Sequence, residues 1–261
     1  MVTEYNTLRN FYQRFTQYTK VLSSMCDKDK LKEFAEIRKM PLKAVQEAGI
    51  FYVDNMAKMI IPDYIEQLND FGVISENNNK PIFNERWVIP IKESRGMVQN
   101  LVGYTPYADE RYIYGTAKFY DRLDTLWGLE NIGIAYSAGY AIVLEGITDA
   151  MRVRSLGYPM AFATCGTGKR VNSFKILNRC RYGIIEIPDR DKAGDSNRKN
   201  WTPNRSVLIN TPLNYKDSDE TVRESEDGAE WLKQYIDMGI DWLLQREHLG
   251  LKCGRIEATM I

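Results

Sequence analysis

The chain has 261 residues, 44% hydrophobic and 27% charged, which is ordinary for a soluble globular protein with one large domain or two small ones. Lys+Arg and Asp+Glu number 35 each, so no basic excess announces nucleic acid, although metal bound by carboxylates would leave the remaining surface more positive. Cys26, Cys165, Cys180 and Cys253 are too widely spaced for a zinc knuckle or ribbon, and no apolar run approaches the roughly 20 residues that span a bilayer.

Residues 1 to about 75 carry helical patterns. Leu8, Phe11, Tyr12, Phe15 and Tyr18 recur at spacings of three and four and build one helical face between Tyr5 and Leu22, either a core-facing stripe or a stacking surface for bases. Short helices are predicted over Lys30 to Ile37 and Pro41 to Ala48, with Pro41 in the first turn and Gly49 as a stop. The polar run Asn77 to Pro81 is a turn signal and a candidate boundary. Beyond it, Arg86–Lys92 and Met97–Gly103 read as strands joined by a hairpin at Glu93–Gly96. Tyr104 to Tyr120 interleaves tyrosines with Arg111 and Lys118, which suits a small sheet or contact with a single strand.

From about residue 139 strands and helices alternate. Strands are predicted at 141–145, 160–164, 183–188 and 206–210, and helices at 148–156, 168–179, 191–200 and 226–236, with Gly157 and Gly183 as helix stops. Such alternation predicts βαβ units and a mainly parallel sheet. Met238 to Leu251 reads as a packing helix that carries His248 as a solvated residue. The cysteines read as small buried hydrophobes of a reducing compartment. No charged-then-apolar leader opens the chain, and a cytoplasmic location is expected.

Acidic residues follow three of the predicted strands. Glu145 directly succeeds Val143-Leu144, and Asp149 lies one helical turn on. Asp189 and Asp191 follow Gly183–Pro188 at a spacing that aims both to one face of extended backbone, and Asp217 and Asp219 repeat that spacing after Ser206–Thr211. In an open α/β sheet the carboxyl ends of neighbouring strands share a crevice, so these acids can converge. Convergence of so many like charges calls for a cation, and oxygen donors suit Mg²⁺ or Mn²⁺ in phosphoryl transfer. Gly166-Thr-Gly-Lys169 is not a P-loop, because position 163 is alanine where that motif needs glycine and Arg170 follows the lysine.

Val143-Leu-Glu-Gly-Ile-Thr-Asp149, Thr164-Cys-Gly-Thr167 and Asp189-Arg-Asp-Lys-Ala-Gly194 together resemble the Toprim fold as it occurs in DnaG-type DNA primases. Lys216–Arg223 resembles the third acidic segment of that family, and Arg86–Gly96, Arg111-Tyr112 and Leu126–Leu129 resemble the amino-terminal half of its catalytic core. The resemblance runs co-linearly from about residue 30 to 235, with Asn84 and Arg190 as departures from the family pattern. It implies an α/β fold whose mainly parallel Toprim sheet is flanked by helices and preceded by a helical and a small β-rich subdomain. The implied divisions are 1–80, helical; 81–138, β-rich; 139–236, Toprim catalytic domain; and 237–261, a helical tail.

Carried onto this sequence, the resemblance implies a cluster of Glu145, Asp149, Asp189, Asp191, Asp217 and Asp219 that binds two or more Mg²⁺ or Mn²⁺ ions, the first four being catalytic. Arg86, Arg111, Tyr112, Lys118, Arg122 and Lys169 would contact template or nucleotide. The implied activity is template-directed synthesis of short RNA primers from ribonucleoside triphosphates on single-stranded DNA, by a nucleotidyltransferase. The family's zinc-binding domain has no counterpart in these cysteines, so a minimal core, phage-encoded and served by a helicase or a separate zinc-bearing partner, is expected. A Toprim nuclease and a non-catalytic module that recruits a helicase or single strand are the alternatives.

Overall fold

A computed structural model describes residues 2–75, 80–122, 125–165, 171–190, 204–212, 214–250 and 254–258. The chain divides into two units, residues 1–120 and 121–261. In the first, helices α1 (Val2–Ser24), α2 (Asp29–Ile37) and α3 (Leu42–Glu47) precede strand β1 (Phe51–Val53). Two 3₁₀ turns follow, then β2 (Arg86–Lys92), β3 (Val98–Tyr104) and β4 (Tyr112–Tyr114). The four strands form an antiparallel sheet in chain order. The α1 stripe faces inward: Phe15, Tyr18 and Leu22 are buried with Phe71, Phe83, Val88 and Leu101, and the Phe15 and Phe71 rings stack 4.6 Å apart. Burial of those aromatics decides between the two readings of the stripe, because a ring sealed in a core cannot receive a base.

Three expectations for this unit change. β1 joins the sheet through β2, so the first 80 residues are not wholly helical. Pro41 stands as the N-cap of α3, with extended backbone, rather than in its first turn. The candidate boundary near residue 80 falls inside the first unit, where Ser75 N–H donates to Lys80 O at 2.8 Å and Ile82 N–H to Val73 O at 3.1 Å.

The second unit contains α4 (Ile132–Ala138), β5 (Tyr140–Leu144), α5 (Ile147–Ser155), β6 (Ala161–Ala163), α6 (Val171–Leu177) and β7 (Gly183–Ile187). It continues with β8 (Arg205–Ile209), α7 (Ser218–Glu224), α8 (Gly228–His248) and β9 (Gly254–Ala258). The five strands are parallel in the order β6-β5-β7-β8-β9. Buried, nearly continuous apolar runs in β5 to β8 match a sheet covered on both faces. The predicted strands at 141–145, 160–164, 183–188 and 206–210 appear within a residue or two.

Other differences follow from tertiary contacts. The helices predicted at 226–236 and from 238 are one, α8, whose buried Leu232, Ile236, Gly239 and Leu243 keep a single face toward the sheet. The expected helical tail instead adds strand β9 beside β8. Gly183 begins β7 rather than ending a helix; its φ is 132°, and a side chain there would press on Arg205 O. The helix predicted at 191–200 lies outside the described residues. Among the described residues no helix is long and apolar enough to cross a membrane.

Candidate metal and nucleotide site

The strand order places a switch point at β5, because the chain leaves it through α5 to reach β6 on one side and later forms β7 on the other. In such sheets, ligands bind beyond the carboxyl ends of the strands where the order reverses. Glu145 directly follows β5, and Asp189 follows β7 after Pro188, which has no N–H to extend the ladder. These two acids meet: the Asp189 backbone N–H donates to Glu145 Oε1 at 3.2 Å. Glu145 is buried and Asp189 half-buried, and the Lys216 ammonium stands 3.6 Å from Asp189 Oδ2.

Asp149 lies in the first turn of α5, where the positive end of the helix dipole favours a carboxylate. Gly146, the N-cap, leaves room for it, since a Cβ there would collide with Asp149 Oδ2. Asp149 Oδ1 accepts from the Asp219 backbone N–H at 2.8 Å and so draws the start of α7 onto α5. The Asp219 carboxylate is held in return by Arg152 on α5, at 3.0 Å from Nε and 2.9 Å from Nη2, with both side chains nearly inaccessible to water. Arg223 lies 3.6 Å from its other oxygen. Asp217 caps α7 by accepting from Glu220 N–H at 2.7 Å. Arg190 ties the loops after β7 and β8 together, its N–H donating to Lys216 O at 2.7 Å and its guanidinium to Thr211 O at 2.6 Å.

Burial, followed by the charges of Asp217, Asp189 and Asp219, holds the Asp149 carboxyl well above the usual carboxylate range, although the hydrogen bond from Asp219 N–H opposes the shift. This is the electrostatic condition that a bound cation relieves, and the donors are hard oxygens of the kind Mg²⁺ and Mn²⁺ select. The residues fit such ions in charge and donor type. Among the described residues no three acids close on one point, so the carboxylates surround a negative region without forming a finished coordination shell. Asp191, expected beside Asp189, lies outside the described residues, as does Lys169.

The residues expected to contact nucleic acid divide by environment. Arg86 is buried on the sheet of the first unit, its guanidinium donating to Glu110 O and Arg111 O, each at 3.1 Å. It therefore shapes the turn into β4. Arg111 is exposed, and Tyr112 is half-buried with its ring 5.0 Å from that of Tyr104. Lys118 is exposed and pairs with Asp70 at 3.2 Å. In the second unit Arg122 Nε donates to Cys165 O at 3.2 Å, supporting a residue held at a φ of 58°. Sequence reasoning overlooked Arg152, although its place three residues after Asp149 in one helix was the available signal. It also overlooked Arg154, which stacks over Trp127 at 4.3 Å and donates to Gly128 O, Ala161 O and Glu130, fastening residues 127–130 beside β6.

No family model matches the chain. The DNA primase of Thermotoga maritima is 23% identical over 238 residues, covering 85% of this chain and 42% of that protein. The DNA primase of Aquifex aeolicus is 30% identical over 170 residues, covering 60% of this chain and 33% of that protein. The chain thus spans less than half the length of these curated relatives. Among solved structures, a DnaG primase catalytic domain bound to ssDNA aligns with a TM-score of 0.72 at 18% identity, over 92% of this chain and 83% of that one. The zinc-binding and RNA polymerase domains of Aquifex aeolicus primase align with a TM-score of 0.72 at 21% identity, over 86% of this chain and 60% of that one.

Fold and site together define a mainly parallel α/β unit that carries acids at its switch point, preceded in the chain by a helical and β-rich unit. More particularly, the chain has the fold of the DnaG primase catalytic core and is related in sequence to DNA primases.

Proposed function

We propose that the chain is a DNA primase core that synthesises short RNA primers from ribonucleoside triphosphates on a single-stranded DNA template. The observation that carries this reading is the convergence of acids at the sheet's switch point, where Asp189 N–H donates to Glu145 and Asp219 N–H to Asp149, and where burial and then the neighbouring carboxylates raise the Asp149 carboxyl. Its kinship with DNA primases supports the choice of reaction.

Glu145, Asp149, Asp189 and Asp191 hold the ions, with Asp217 and Asp219 completing the negative field. Bound Mg²⁺ or Mn²⁺ supplies the charge that offsets the triphosphate and eases loss of the proton from the attacking 3′-hydroxyl. Arg152 keeps α5 and α7 in register so that Asp149 and Asp219 stay beside each other. Lys216, paired with Asp189, is placed to meet a phosphate oxygen. Arg111, Tyr112, Lys118, Arg122 and Lys169 contact template or nucleotide, while Arg86 orders the backbone that presents Arg111. A helicase or a separate zinc-bearing protein serves as partner in template choice.

The test is primer synthesis by purified protein on single-stranded DNA with all four ribonucleotides and Mg²⁺ or Mn²⁺, comparing wild type with Asp149→Asn and Asp189→Asn. Metal-dependent product from wild type and a loss of at least about 100-fold in both variants is expected, in keeping with the weight of charge stabilisation in such centres. Cleavage of DNA without nucleotides, with no primer formed, would overturn the reading in favour of a nuclease.

A further inference from the structure

The opposite edge of the parallel sheet, at the amino ends of β7 and β8, carries a second constellation unlike the first. A cavity of about 290 Å³ opens there, lined by Arg179, Arg181, Arg205, Asn204 and the buried Cys180. Among the described residues, no carboxylate lines it. The nearest acid in the cluster is Glu247 on α8, which accepts from Arg205 at 2.9 Å and stands 3.4 Å from Arg181 Nε. Arg179 is exposed and makes no ion pair among the described residues. Among the described residues, three guanidinium groups face one carboxylate, an excess of two positive charges. The Cys180 thiol does not offset them, because burial pushes it up to about 12 and it stays neutral.

The basin is also ordered before any ligand arrives. Arg205 is anchored twice, to Glu247 and to Arg181 O at 3.1 Å, and Asn204 N–H is fixed on Asn178 Oδ1 at 2.9 Å. A planar guanidinium held in this way keeps its remaining N–H groups aimed and loses little freedom when an oxyanion binds. At about 30 Å³ per water, the volume admits a phosphate group with part of its hydration. Among the described residues, Glu247 is the one carboxylate that pairs with these arginines.

We propose that Arg179, Arg181 and Arg205 bind a backbone phosphate of single-stranded nucleic acid, as an anchor separate from the carboxylate site. β7 has five residues, so the two sites lie about 17 Å apart along the strand, too far for one phosphate to serve both. The nucleic acid as occupant rests on the function proposed above; the phosphate chemistry rests on the arginines alone.

The test follows the arginine Nε–Hε resonances of the full chain by NMR, during titration with inorganic phosphate and then with an oligothymidylate. Saturable shifts confined to Arg179, Arg181 and Arg205, with phosphate displaced by the oligonucleotide, are the expected result. Fluorescence anisotropy should show weaker oligonucleotide binding by Arg179→Gln and Arg181→Gln, the salt slope falling by about 0.7 for each lost contact. Circular dichroism verifies that these exposed substitutions leave the fold intact. Absence of saturable shifts, an unchanged salt slope, or phosphate binding that the oligonucleotide does not displace would overturn the proposal. Loss of primer synthesis in the Asp149→Asn protein bears on the carboxylate site alone, so the two readings fail separately.

Discussion

Asp149 is the residue on which acid–base behaviour and function meet. Its carboxyl is raised in the folded chain by burial and by three neighbouring carboxylates, so the native state binds this proton more tightly than the unfolded state does. The stability linked to it is complete below the unfolded value of about 3.9 and is lost as pH rises through the elevated native value. In EDTA at neutral pH, Asp149→Asn should therefore be more stable than wild type, the difference vanishing near pH 3. Thermal melts across pH check this, and Mg²⁺ should restore wild type while leaving the variant unmoved. Gly146→Ala provides a separate test, because the added Cβ meets the carboxylate of Asp149 rather than backbone. It should cost about 1 kcal/mol in denaturant melts, near the value of an N-cap change, yet lower primer synthesis at least about 10-fold. That Glu145, Asp149, Asp189, Asp217 and Asp219 follow strands was legible from apolar runs. That Asp219 would be claimed by Arg152 was not, since the partners are 67 positions apart and their meeting depends on two helices touching.

At the scale of elements, the joint between α5 and α7 sets the geometry of the acids. Arg152 and Asp219 are both almost completely buried, and removing one partner strands the charge of the other. Arg152→Ala should destabilise the protein by about 3–5 kcal/mol, measured by urea denaturation. A second close approach lies at the start of α8, where a side chain on Gly228 would strike Thr221 O in the middle of α7. Gly228→Ala should cost about 2 kcal/mol or more, because backbone rather than a flexible side chain must yield, and it should lower metal-dependent activity as α7 shifts. Local pattern located β5, β7 and β8 well, since each is a nearly continuous apolar run bounded by glycine or polar residues. It divided α8 in two at residue 237 because one exposed turn, with Asp237 and Met238, interrupts the apolar stripe while the buried face continues through Gly239.

For the whole molecule, the division at residue 120 carries a prediction of its own. Residues 1–120 hold a contiguous core of Phe15, Tyr18, Phe71, Phe83, Val88 and Leu101, so that segment expressed alone should melt cooperatively with a stability of about 5–10 kcal/mol, as seen by calorimetry. A broad, uncooperative transition would show that the unit depends on the remainder of the chain. The net charge of zero conceals an uneven distribution, with acids gathered at the carboxyl ends of β5 and β7 and arginines at the amino ends of β7 and β8. By itself the sequence determined the alternation of strands and helices in the second unit, the acids that follow its strands, and the resemblance to primase cores, because periodicity, turn chemistry and motif order are local or co-linear properties. Only the tertiary structure decided that β1 and β9 extend the sheets, that the aromatic stripe of α1 is core, that Arg86 shapes backbone and that Arg152 holds Asp219. Those outcomes depend on which surfaces meet after the chain has folded, and residues far apart in sequence carry no local mark of the partner that will bury them.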